Sequence, residues 1–150
     1  MIHRLQEVLP KYHLLMKSVL ASIQGEDRLT MHQLRSLRAI AASDGGMLTS
    51  ILARQLKSAP PTVTRIVDGL VERGLVERRP DPDDRRRLRL AALPPASDLL
   101  REYEARLHDL LAERLSLVPH DRHQLLLDAL DDLDLILSDA TEATESPANG

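Results

Sequence analysis

The chain has 150 residues, 43% of them hydrophobic, a formal net charge of −3, two Tyr, and no Phe, Trp or Cys. That length holds one compact core, or one domain with added dimerisation helices, and the core has to be built from Leu, Ile, Val, Ala and Met. The scarcity of aromatics argues against a stacking platform for single-stranded nucleic acid, and the missing thiols exclude disulfides, thiol redox sensing and cysteine-ligated metals.

At the N-terminus, Ile2, Leu5, Leu9, Tyr12, Met16, Val19, Leu20 and Ile23 recur on one helical stripe. Pro10 either starts the main helix or kinks it, and Gln24-Gly25-Glu26-Asp27 closes it. From Thr30, a natural cap, Met31, Leu34, Leu37 and Ala41 mark a second helix that ends at Ser43-Asp44-Gly45-Gly46. This helix is expected to be a scaffold for the helices beyond it.

From Thr49, expected as an N-cap, Ile51, Leu52 and Leu56 give a short third helix. Lys57 to Ala59 is a turn. Pro60 and Pro61 suit the first turn of a fourth helix, where a missing N–H does no harm. Within it, Val63, Ile66, Val67 and Leu70 follow the i, i+3, i+4, i+7 spacing of a buried stripe, leaving Thr62, Thr64, Arg65, Asp68, Gly69 and Glu72 on the other face. Small hydroxyls and an arginine near a helix N-terminus suit insertion into a DNA major groove, although a solvated polar face has much the same composition.

Gly74 ends this helix, and Leu75 to Arg79 begin a strand. Pro80-Asp81-Pro82-Asp83-Asp84 is a turn, and Leu88-Arg89-Leu90 is the returning strand. The resulting hairpin carries Arg85, Arg86 and Arg87 at or just behind its tip. A slender basic hairpin can enter a minor groove, with Asp83 or Asp84 orienting an arginine through a bidentate pair. Two helices followed by a basic hairpin have the order of a DNA-reading winged helix.

Beyond Pro95, Leu99, Leu100, Tyr103, Leu107, Leu110, Leu111, Leu115 and Val118 give a long amphipathic helix broken at Pro119. A final helix carries Leu125, Leu126, Ala129, Leu130, Leu133, Ile136 and Leu137, with Leu127 and Leu135 off that stripe. Such a wide apolar surface on a terminal helix implies that a partner covers it. Residues 141–150, polar and turn-forming, are expected to be a disordered tail. Charge is divided along the chain: residues 54–89 hold ten basic against six acidic residues, and residues 98–150 four against thirteen. One surface therefore suits phosphate, and the acidic C-terminal helices should face away from it.

The segment with LT, then LA..L, then PPTVTRIVDGLVERGLVERRPDPDDRR resembles the DNA-binding domain of the MarR family of bacterial transcriptional regulators. The resemblance is strong over about residues 29–93. It implies a mainly α fold: a winged helix-turn-helix with a two-stranded β wing, flanked by N- and C-terminal dimerisation helices. The expected division is an N-terminal dimerisation helix at 1–28, the winged domain at 29–93, C-terminal dimerisation helices at 94–140 and the tail. It also implies a homodimer on a pseudo-palindromic double-stranded DNA operator, usually a repressor and often relieved by a small ligand; the cytoplasmic location expected for it comes from the lack of a membrane-spanning run and of a signal-peptide pattern. Pro61, Thr62, Thr64 and Arg65 match major-groove positions of the family's recognition helix. Asp84 and Arg86 match the wing's Asp-x-Arg, with Arg86 the minor-groove residue and Arg85 beside it. One departure stands out: the family's second strand commonly ends in Leu-Thr and a small-Gly turn, whereas this chain reads Ala92-Leu93-Pro94-Pro95-Ala96-Ser97. A threonine cap is lost there, so the junction has to be built differently.

The same resemblance implies an effector pocket in the cleft between the dimerisation helices and the winged domain, where the first two helices should meet. Tyr12, His13, Met16, His32, Arg35 and Arg38 are the candidates, with Arg35 or Arg38 suited to an anionic phenolic ligand, although a solvated arginine face is the commoner arrangement. His120, His123 and His108 do not make a compact four-ligand metal set. With no phosphate loop, nucleophile elbow or H-E-x-x-H motif, neither an enzyme nor a cofactor is expected. No apolar run is long enough to span a bilayer, and the first residues lack a signal-peptide pattern. The alternative function is a winged-helix protein-interaction module without sequence-specific DNA binding.

Overall fold

The computed structural model describes residues 1–23 and 29–143, with side chains to residue 138. It divides into two units, Met1–His108 and Asp109–Gly150. The segment expected to close the first helix, 24–27, and the end of the expected tail, 144–150, lie outside the described residues.

The first unit opens with helix α1 (Ile2–Ser22), which carries Pro10 inside it and buries only Val19 and Leu20. Of the rest of its apolar stripe, Leu5, Met16 and Ile23 are half-buried and the others face outward, Tyr12 at 47% exposure and Ile2 at 72%. Helix α2 (Met31–Ala41) starts from a complete capping box: Gln33 N–H donates to Thr30 Oγ1, and Thr30 N–H donates to Gln33 Oε1. Leu34, Leu37 and Ile40 form its buried stripe, so the expected core position at Ala41 is corrected to Ile40, one residue back on the i, i+3, i+6 row. Ser36 is also buried, with its hydroxyl donated to the His32 carbonyl.

Strand β1 (Met47–Leu48) leads directly into helix α3 (Thr49–Gln55). Thr49 is the first helical residue rather than its cap, and no side chain caps α3. The extended N-cap backbone comes instead from Leu48, which is held in the sheet by pairing with Arg89. The turn after α3 passes through Lys57 in a left-handed conformation at φ +50°. Helix α4 (Pro60–Glu72) then begins with two prolines and buries Val63, Val67 and Leu70 against α2 and α3. Gly74, at φ +65°, turns the chain into strand β2 (Val76–Pro80).

Strand β3 (Leu88–Ala92) pairs antiparallel with β2, Val76 opposite Ala92 and Pro80 opposite Leu88, and on its other edge with β1. The sheet therefore has three strands in the order β1-β3-β2. The wing hairpin is two-stranded as expected; β1, two residues long, is an addition that alternation cannot reveal.

Helix α5 (Pro94–Leu115) begins immediately after β3. Leu93 N–H donates to the Leu75 carbonyl, and Ala96 N–H to the Leu93 carbonyl. Pro94 and Pro95 occupy the first helical positions, where an N–H would have no intrahelical acceptor, so the threonine cap is replaced by residues that need none. Ala96, Leu100 and Tyr103 bury this part of α5 in the core.

In the second unit the end of α5 is followed by Pro119, a 3-10 turn at His120–Arg122 and helix α6 (His123–Ala143). No described side chain of α6 is buried, and all its described leucines except the half-buried Leu133 stand open, Leu125 at 65% and Leu135 at 62%.

Candidate nucleic-acid interface

Helix α4 presents Pro61, Thr62, Thr64 and Arg65 to solvent. The burial of Val63, Val67 and Leu70 decides which way they face. The helix starts on two prolines, which carry no N–H, and the Thr62 and Val63 amides both donate to the Ala59 carbonyl, so its first turn offers no free backbone donor and recognition falls to the side chains. Thr64 is not a free donor: its hydroxyl donates to the Pro60 carbonyl at 3.0 Å. In that rotamer it offers an incoming base an acceptor and a methyl group. Asp68, further along the same face, binds Arg78 of β2 at 2.6 Å, tying helix to hairpin.

The wing loop, residues 81–87, closes through Asp81 N–H to the Arg87 carbonyl and Arg87 N–H to the Asp84 carbonyl, both at 2.9 Å. Arg85, Arg86 and Arg87 are exposed. The expected bidentate pair at Asp83 or Asp84 does not form. Asp84 instead accepts the backbone N–H of Arg86 at 3.0 Å, which shapes the turn and leaves the guanidinium outward. Within the loop, the acidic residue that holds an arginine is Asp81, only 3% exposed. Its carboxylate accepts from Asp83 N–H at 2.9 Å, Asp84 N–H at 3.3 Å and Arg89 Nε at 2.8 Å. The Asp83 amide, the Arg89 side chain and the Asp84 amide hold its pKa below the ordinary 3.8, against the opposing effect of burial.

The six effector candidates do not come together as one set. His13 and His32 line a cavity of about 420 Å³ with Lys17, Leu20, Ala21, Leu29, Thr30 and Met31. Tyr12, Met16, Arg35 and Arg38 are not in its lining. Arg38 reaches Glu104 at 3.4 Å. Nearby, Tyr103 is wholly buried with its hydroxyl lacking a hydrogen-bond partner among the described residues, and burial, then the neighbouring Tyr12, raise its pKa above 10.0. Sequence reasoning missed Lys17 because the rotation of α1 against α2 is not set by either helix's own periodicity. Among the described residues no three His, Asp or Glu side chains converge to hold a metal. His120 and His123 meet edge-on at 5.0 Å, and His123 Nε2 bonds the Val118 carbonyl.

The MarR family model matches residues 29–88, from the residue before the Thr30 cap to the first residue of β3. Over those residues the chain is similar to the MarR family. An uncharacterised HTH-type transcriptional regulator of Mycobacterium leprae is 28% identical over 103 residues, 69% of this chain and 71% of that protein. The crystal structure of RV1404 from Mycobacterium tuberculosis has a TM-score of 0.79 at 23% identity, covering 99% of this chain and 95% of the other. Staphylococcus aureus MepR in complex with DNA has a TM-score of 0.70 at 16% identity, covering 91% and 99%. At those identities the two structures speak for the fold alone. The chain is thus a transcriptional regulator with a winged-helix fold of the DNA-binding kind, similar to the MarR family, and not an enzyme. No helix among its described residues is long and apolar enough to cross a membrane.

Proposed function

We propose that this regulator is a homodimeric repressor of a pseudo-palindromic operator in the cytoplasm. Each α4 enters a major groove through Pro61, Thr62, Thr64 and Arg65, and each wing sends Arg86, flanked by Arg85 and oriented by Asp84, into a flanking minor groove. The observation that carries this reading is the wing tip. Two of its three carboxylates are turned onto backbone amides, while all three guanidiniums stay exposed. MepR, whose fold is like that of this chain, has been solved in complex with DNA, which supports DNA as the partner.

Residues 1–28 and 94–140 serve as dimerisation helices in this reading. Its support is the apolar surface that α1 and α6 each leave open. The effector is a small anionic or phenolic molecule. The cavity beside His13, Lys17 and His32 suits it, because cationic or titratable groups and apolar side chains line it and, among the described residues, its lining holds no acidic one. A ligand that binds better to one spacing of the two reading heads shifts the dimer away from DNA.

The test is selection of bound duplexes from a random pool, then fluorescence anisotropy with the enriched duplex across a salt series. A two-fold symmetric motif with half-sites about one helical turn apart, and a steep salt slope, is expected. Binding no stronger than to random duplex would instead make the winged helix a protein-interaction module.

A further inference from the structure

We infer that Asp81 and Arg89 are positioning residues for DNA binding: together they lock the basic wing tip to the body of the domain without themselves touching DNA. The inference rests on the wing reading proposed for Arg86 and adds to it two residues that carry no expected DNA contact.

Asp81 lies where β2 passes into the loop. Its Oδ1 gathers the amides of Asp83 and Asp84, while its own N–H closes the loop onto Arg87. Its Oδ2 holds Arg89 Nε at 2.8 Å. Arg89 continues across the sheet, donating Nη1 to the Gly46 carbonyl at 3.2 Å in the turn before β1. One ion pair thus joins the loop, the returning strand and the segment that leads into α3. The Asp81 side chain is 4% exposed and that of Arg89 29%, so the pair is shielded as surface pairs are not. A loop already arrested in its docking shape loses less conformational freedom on entering a groove.

Charge and positioning predict opposite results at Asp81. Removing an acidic residue close to phosphate should strengthen binding by electrostatics alone. Loss of the lock should weaken it. Asp81→Asn separates the two effects, because Asn still accepts the loop amides but turns its N–H2 toward the Arg89 guanidinium. Arg89→Gln breaks the same pair with the opposite change in charge.

The experiment measures anisotropy with the full chain and the duplex it selects from a random pool, for wild type, Asp81→Asn, Arg89→Gln, Arg86→Ala and the doubles with Arg86→Ala. Both lock variants are expected to bind about tenfold more weakly with a shallower salt slope, and to cost less than about threefold once Arg86 is gone. Tighter binding by Asp81→Asn, unchanged affinity in both, or full additivity with Arg86→Ala overturns the inference. Unchanged affinity in Arg86→Ala alone overturns the wing reading and is seen separately. Thermal melting of each variant checks folding; if either lock variant is unfolded, Arg89→Lys takes its place, since it keeps the charge but cannot span both Asp81 and Gly46, and wild-type affinity there also refutes the lock.

Discussion

Replacing Gly46 by alanine should damage the domain far more than the same change at its neighbour Gly45. Both glycines have positive φ, +74° at Gly45 and +82° at Gly46. Left-handed backbone costs an L-residue about 1–2 kcal/mol, and the stiffer unfolded chain returns about 0.5–1 kcal/mol, so Gly45→Ala should lose about 1 kcal/mol. At Gly46 the new Cβ would also stand 2.6 Å from the Leu90 carbonyl oxygen and 3.3 Å from its carbon. Those are backbone atoms of the central strand and cannot swing aside. β1 must move off β3, breaking the Met47–Leu90 pairing and the Arg89 bond to the Gly46 carbonyl. At about 1 kcal/mol per broken hydrogen bond the total reaches roughly 3–4 kcal/mol. Urea denaturation followed by circular dichroism, at one protein concentration for all variants, reads the difference. With a slope of about 1.5 kcal/mol/M, Gly46→Ala should lower the midpoint by about 2 M and Gly45→Ala by less than about 1 M. Equal midpoints would show that β1 is not held against β3 as described.

Other expectations are separable. Arg86→Ala should reduce the salt slope of DNA binding by about one unit for each wing that ceases to neutralise a phosphate, whereas Arg65→Ala should relax preference at one base position, worth about 1–3 kcal/mol there; anisotropy and repeat selection distinguish them. Tyr103→Phe should raise stability by about 1 kcal/mol, because the buried hydroxyl has no partner among the described residues, and a clear loss of stability would mean that the hydroxyl is satisfied after all. Since burial raises the Tyr103 pKa, its neutral form contributes stability fully below about pH 10, and that contribution is lost as pH rises through the folded value; the Phe variant should lack this alkaline dependence in pH-resolved melts. The Asp81 carboxyl is depressed, so its contribution is present above pH 3.8 and lost as pH falls through the folded value; Asp81→Asn should show a flatter acid limb.

Most of the reading helix was legible because one interaction dominates it: Val63, Val67 and Leu70 need burial, and their spacing alone fixes which residues face out. The cap at Thr30 was legible because its partners lie within one turn. What escaped depends on tertiary placement. Asp81 and Arg89 are eight residues apart in a stretch holding three aspartates and six arginines between positions 78 and 89, and only the register of β3 decides which of them meet. Thr49 looked like a cap because local chemistry favours it; the sheet supplied Leu48 instead. Which side chains share the cavity beside α1 and α2 depends on the rotation of one helix against the other: His13, Lys17 and His32 line it, and Arg35 and Arg38 do not.

Pro94 and Pro95 have a mechanical consequence. A joint swivels by its soft torsions, and two successive proline rings remove two of them where β3 becomes α5. Leu93, clamped to the Leu75 carbonyl, fixes the strand side of the same joint. The glycine-bearing turn common in the family would let the helix pivot while the hairpin stayed still. With a stiff coupling here, a tilt imposed on the first turns of α5 is passed into the root of the wing instead of being absorbed at the corner.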